Sequence, residues 1–278
     1  MFSSYGDYIF FDGAMGTMLL KNGLKQGERP DLMNMTAPDT VEMIHRMYID
    51  SGSDIICTNT FGANADALRG TGYSPADVIS AAVTIAKRAS NGAAKVALDI
   101  GPIGRLLEPW GDLQYDNVYE LFKEQAVAGE KAGADVAAIE TMSDLTELKA
   151  AILAVKENTG LPVLATMTFG KTGHTYMGCT PEDFAEAAES LGVAAVGINC
   201  SLEPKEMFAT AKRIAKTTDL PLIVKPNAGL PDSATGRYSI GPGEFAKQMV
   251  AYMEINVRIV GGCCGTTPEY IRELRKAF

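Results

Sequence analysis

Eight times along this chain a short run of β-branched or aromatic residues gives way to a longer stretch with apolar residues at helical spacing. No other feature limits the fold as much, because strands joined through helix-length crossovers pair in parallel and need helices over their faces. The runs fall at 8–11, 54–57, 95–100, 135–139, 162–167, 195–199 and 221–225, with an eighth leading into Gly261. Proline suits the first turn of a helix and opens the stretches at Pro38, Pro75, Pro181, Pro204, Pro242 and Pro268. Another carries the stripe Val118, Leu121, Phe122 and Ala126, and one spans 144–158. Gly52, Gly133, Gly160 and Gly192 mark four returns from helix to strand. The economical α/β architecture is a single (β/α)8 TIM barrel, one domain over residues 1–278, with an open doubly wound sheet as the alternative. The longest loops, 21–37, 105–116 and 230–241, leave the carboxyl ends of strands one, three and seven, the face where such barrels build their sites.

Charge and composition remove whole classes of function. A net charge of -9 without a basic run argues against a nucleic-acid surface. No apolar stretch reaches the roughly 18 residues of a membrane span. The first eleven residues lack the basic start, apolar centre and small-residue exit of a secretory leader, so the expected location is the cytoplasm. Five irregularly spaced cysteines fit a reducing compartment and a thiol or metal role better than a disulfide framework.

The stretch Val257-Arg-Ile-Val-Gly-Gly-Cys-Cys-Gly-Thr-Thr-Pro268 sets two thiols side by side at the end of the eighth run. On a regular strand they would point to opposite faces; the flanking Gly261, Gly262 and Gly265 let the backbone turn both sulfurs one way. Adjacent thiolates repel unless a cation sits between them, and zinc suits sulfur in a tetrahedral site. A vicinal disulfide and a pair of buried thiols are the alternatives. Barrel closure places strand seven between six and eight, which brings Cys200, at the end of strand six, within reach of Cys263 and Cys264. Three thiolates leave zinc one open position, as in a catalytic site; the other reading of Cys200 is a small buried hydrophobe. A thiol entering that position is held as its thiolate, so the reaction implied is attack by a substrate thiolate on an electrophilic carbon. Cys57 is expected to pack across the barrel and Cys179 to be a loop thiol near a helix start. His45 and His174 have no partner at ligand spacing and are expected on the surface or behind the site.

Five motifs together resemble one family: Asp12-Gly-Ala-Met-Gly-Thr17, Thr58-Asn-Thr-Phe-Gly-Ala-Asn64, Gly197-Ile-Asn-Cys200, Lys225-Pro-Asn-Ala-Gly229 and Gly261-Gly-Cys-Cys-Gly-Thr-Thr-Pro268. Over essentially the whole chain they are similar to the homocysteine S-methyltransferase domain, nearest to the homocysteine-binding module of cobalamin-dependent methionine synthase. The resemblance implies a zinc barrel that binds L-homocysteine and makes L-methionine. It assigns Cys200, Cys263 and Cys264 as zinc ligands and Asn227 as the residue that occupies the vacant position before substrate arrives. Asp12 and Glu140 match acidic residues around the substrate amino group, and the backbone from Gly13 to Thr17 matches a loop near the amino-acid head. Such roles suit a carboxylate at a strand end and loop N–H groups. The other readings are a turn or cap residue for Asp12 and a solvated loop charge for Glu140. Thr58, Asn59 and Thr60 are either pocket lining or a structural polar network. Only one helix follows Cys264 and no Asp-x-His-x-x-Gly occurs, so the methyl group is expected from methylcobalamin on a separate corrinoid protein. A betaine or S-methylmethionine donor, another thiol acceptor, a non-catalytic zinc or thiol-binding subunit and a redox-sensing dithiol are the competing readings.

Overall fold

The computed structural model describes residues 5–232, 235–255 and 257–278. Residues 1–4, within the stretch that lacks a leader pattern, and 233–234, in the third long loop, lie outside the described residues. The strands are β1 Ile9–Phe10, β2 Ile55–Cys57, β3 Lys95–Ile100, β4 Val136–Met142, β5 Val163–Met167, β6 Ala195–Asn199, β7 Leu222–Lys225 and β8 Val257–Val260. All pair in parallel in the order β1-β8-β7-β6-β5-β4-β3-β2. The two ends meet through the bridge Phe11–Ile55, with Asp54 N–H donating to Phe10 O and Asp12 N–H to Ile55 O. The sheet therefore closes into the expected (β/α)8 barrel.

Around it run α1 Met15–Lys21, α2 Met33–Thr36, α3 Pro38–Asp50, α4 Pro75–Ser90, α5 Tyr115–Ala132, α6 Leu145–Asn158, α7 Pro181–Ser190, α8 Pro204–Thr217, α9 Pro242–Met249 and α10 Pro268–Ala277. Proline occupies the first turn of six of these, and α4 gains a reciprocal cap between Ser74 and Asp77. Hydrophobic period does not announce α1, α2 or the 3-10 turn Pro30–Leu32, which are shorter than the roughly 11 residues over which a helical period can be read. The helix expected from 242 to 253 instead ends at Met249 and tightens into a 3-10 turn over Val250–Ile255.

Period-two alternation divides the buried strand residues into two cores. Phe10, Ile56, Leu98, Ile139, Ile198 and Val260 face the helices, while Ile9, Phe11, Ile55, Ala97, Ala138, Leu164, Ala195, Ile223 and Ile259 fill the barrel. Packing inside is close enough that a Cβ on Gly197 would lie 1.9 Å from the carbonyl oxygen of Ile223. Toward the carboxyl ends the inward positions turn polar: Asp99, Glu140, Thr166, Asn199 and Lys225 are all buried. β4 runs past its expected end at Ile139 to Met142 through a register shift, so Glu140, expected at the carboxyl end of the strand, lies within it, and the alternative of a solvated loop charge is set aside by its burial.

His45 corrects the surface expectation. It is fully buried on α3, and neither ring nitrogen has a hydrogen-bond partner. Burial holds it down to about 4, with the Glu42 charge opposing. An unfolded histidine titrates near 6.5. Between these values the unfolded chain takes a proton that the folded chain refuses, so stability is present above pH 6.5 and falls as pH drops toward 4. The expected loss from this group is about 3 kcal/mol in full. His45→Leu should flatten that part of the pH profile in urea unfolding between pH 7 and 4.

Candidate metal and substrate site

The exit of β7 organises the carboxyl-end face. Lys225 O accepts from Cys200 N–H at 3.1 Å and Pro226 O from Cys263 N–H at 2.8 Å, while Ala228 N–H donates to Cys264 O at 2.9 Å. Three peptide hydrogen bonds thus dock the ends of β6 and β8 on one segment. The Sγ atoms of Cys200, Cys263 and Cys264 lie within 4.8 Å of one another, and Cys200 and Cys264 are 3.8 Å apart. A tetrahedral zinc with bonds near 2.3 Å separates its sulfurs by about 3.8 Å, so the donor set fits that ion. Asn227 Oδ1, nearby on the same segment, is buried and without a partner.

Backbone strain concentrates at the same place. Cys200 and Ser201 adopt φ of 62° and 59°, and Thr141 φ of 62°. Such left-handed residues cost about 1–3 kcal/mol each unless the surroundings hold them. Asn199 is one such holder: its Oδ1 accepts from Thr141 N–H and Thr166 Oγ1, and its amide donates to Thr141 Oγ1. The same amide stands 3.8 Å from Cys263 Sγ.

Without a cation the sulfurs share protons. Hydrogen bonding among the three sulfurs holds the Cys200 thiol down to about 3, pushes Cys264 up to about 12 and sets Cys263 well above the ordinary thiol range. The set then carries one negative charge, because a second thiolate beside the first is unfavourable. A divalent cation held by the three sulfurs would replace the two protons.

Below the sulfurs a cavity of 240 Å³ is lined by Asp12, Gly13, Thr17, Thr58, Asn59, Glu140, Lys225 and the three cysteines, among others. That is smaller than a drug-sized pocket and of amino-acid scale. Asp12 Oδ2 accepts from Cys57 N–H at 2.8 Å. Burial raises its carboxyl to about 7, with Lys225 pulling the other way. Glu140 is ion-paired with Lys225 at 2.5 Å. Thr58 and Asn59 also border the cavity, yet their polar atoms serve the scaffold. Thr58 Oγ1 meets Thr60 Oγ1 at 2.7 Å and accepts from Asp99 N–H; the Asn59 amide donates to Pro30 O, tying the loop after α1 to β2. Asn227 does not line the cavity, but its amide contributes to lowering Cys200.

Cys57, expected as packing, also borders the cavity, with Sγ 3.8 Å from Lys225 Nζ. Cys179 is a buried loop thiol before α7, as expected, and His174 is exposed. Sequence reasoning passed over Asp99, Asn199 and Lys225. The signal was there: each is the polar residue in an inward register otherwise occupied by Ala97, Ala195 or Ile223.

Residues 9–278 match the family described as Homocysteine S-methyltransferase. The methionine synthases of Mycobacterium leprae and Mycobacterium tuberculosis are each 34% identical over 290 aligned positions, covering 96% of this chain and 24% of theirs. The chain thus spans about a quarter of the length of the curated relatives it matches. The homocysteine methyltransferase MmuM from Escherichia coli superposes in its oxidized form with TM-score 0.86 at 22% identity, covering 100% of this chain and 98% of that one. Its metallated form gives 0.82 at 21%, with 98% and 97% covered. At such identity the two crystal structures establish a shared fold.

Zinc added to metal-free protein should bind one ion per chain and release about two protons, read by calorimetry in buffers of different ionisation enthalpy. Cys263→Ser should abolish tight binding. Asn199→Ala, which removes a support rather than a ligand, should weaken it about 10–100-fold in a chelator competition.

Proposed function

The chain belongs to the homocysteine S-methyltransferase family, and from that premise we propose that it methylates L-homocysteine to L-methionine at a zinc centre held by Cys200, Cys263 and Cys264. One observation carries the reading: three sulfurs at metal-ligand spacing stand over an amino-acid-sized cavity lined by Asp12 and Glu140. Zinc, when bound, lowers the proton affinity of a thiol that shares it, whereas a free thiol of pKa about 8.5 is only a few per cent ionised at neutral pH.

The chain's own residues supply binding and orientation. Asp12 and Glu140 take the substrate ammonium, since carboxylates at strand ends form charge-assisted hydrogen bonds with it. The backbone from Gly13 to Thr17, where α1 starts, offers N–H groups to the substrate carboxylate. Pinned at that head, the homocysteine chain directs its sulfur toward the three cysteines. The unpartnered Asn227 Oδ1 is the group we assign to the position the substrate sulfur takes. In the transfer the acceptor sulfur attacks the methyl carbon, a C–S bond forms, and the bond from methyl to donor breaks with its electron pair staying on the donor.

We assign the donor as methylcobalamin on a separate corrinoid protein, docking over the cavity mouth. The family resemblance supports a corrinoid donor, and the matched methionine synthases are the relatives that suggest it. The setting consistent with this chemistry is the cytoplasm; among the described residues no helix is long and apolar enough to cross a membrane.

Incubating zinc-loaded protein with L-homocysteine and methylcobalamin should yield methionine by mass spectrometry, and a chelator should stop it. Turnover with S-methylmethionine but none with methylcobalamin would reject the donor. Glu140→Gln should raise KM for homocysteine about tenfold or more, the loss of one charged hydrogen bond.

A further inference from the structure

Lys225 is a buried cation in a cavity proposed above to bind an ammonium group, and the inference here rests on that reading. Its side chain is 5% exposed and its Nζ lies 2.5 Å from Glu140 Oε2, on a side chain 12% exposed. The same ammonium stands 4.7 Å from the centre of the Phe11 ring and 3.8 Å from Cys57 Sγ. Asp12 and Asp99 line the cavity too, so three carboxyl groups surround one cation of the protein's own. Asp99 Oδ1 is buried without a hydrogen-bond partner.

A cation beside the ammonium subsite repels the ligand, so its presence requires another role. Three carboxyl groups around one cavity with no cation cannot all ionise; they share protons and hydrogen-bond one another instead of the ligand. Burial and the neighbouring Glu140 charge push Asp99 well above the carboxylate range. Lys225 engages one of the two oxygens of Glu140 and so holds that side chain in place. The charge count then leaves the ligand's ammonium to complete the balance.

We propose that Lys225 is a positioning residue that sets the cavity's preference for thiols bearing an α-ammonium group, by clamping one oxygen of Glu140 and leaving the other for the ligand. The preference is the ratio of dissociation constants for 4-mercaptobutanoate, which has the thiol and carboxylate but no amino group, and L-homocysteine, measured by calorimetry on zinc-loaded protein. Lys225→Met should reduce that ratio about tenfold or more. Lys225→Arg, which keeps the charge, should retain most of it. Because Lys225 acts through Glu140, the double variant Lys225→Met with Glu140→Gln should show the same ratio as Glu140→Gln alone. That comparison stands even if Lys225→Met fails to fold, since removing both charges together leaves neither unpaired. An unchanged or increased ratio in Lys225→Met, or a double variant with a lower ratio than Glu140→Gln, overturns the inference. Binding of neither thiol by the unmodified protein overturns the acceptor reading itself, and this inference with it.

Discussion

Two carbonyl groups at the end of β7, those of Lys225 and Pro226, fix the separation of the thiols on which the proposed chemistry depends. They accept from the peptide N–H groups of Cys200 and Cys263, residues 63 positions apart in sequence. Backbone hydrogen bonds are the natural device for this, because every strand of a parallel barrel already offers them and they do not depend on side-chain rotamers. The strand order is the precondition, since β7 pairs with β6 on one side and β8 on the other and so lies between the two cysteine-bearing strands.

The local cost of the arrangement is visible in the backbone. Cys200, Ser201 and Thr141 are held in the left-handed region at the ends of β6 and β4. They are held by groups that belong to the site: the β7 carbonyls on one side and the Asn199 side chain on the other. Asn199 thereby links the geometry of the Thr141 turn to the surroundings of Cys263 Sγ. A rigid barrel below supplies the packing against which such strain is kept.

Under the sulfurs the barrel changes character within one layer of side chains. Ala97, Ala138, Ala195 and Ile223 give way, two residues further along their strands, to Asp99, Glu140, Gly197 and Lys225. Small interior residues below leave room for the charged layer above, and the Phe11 ring forms part of its floor under Lys225. The result is a chamber lined by buried charged side chains, where one ion pair or one ligand ammonium weighs more than it would at the surface.

Eight apolar runs alternating with helical periods can be buried together in few ways, so the barrel was legible in the sequence with an open doubly wound sheet as its competitor, and closure between Phe11 and Ile55 decided between them. The sequence also marked the cysteines at the ends of the sixth and eighth runs, since glycine on both sides of Cys263-Cys264 is a local signal of a backbone turn. His45 shows the limit: its surroundings on α3 come from elements far away in the chain, so its burial has no local trace. Glu140 shows another, for its pairing with Lys225, 85 residues on, exists only once β4 and β7 face each other across the barrel. Composition and period describe which face a residue takes; which charges meet across the interior is decided by closure and strand register. Tertiary structure alone therefore set the partners of Asp12, Glu140, Asn199 and Lys225, because electrostatic and hydrogen-bond energies depend on distances that no linear spacing encodes.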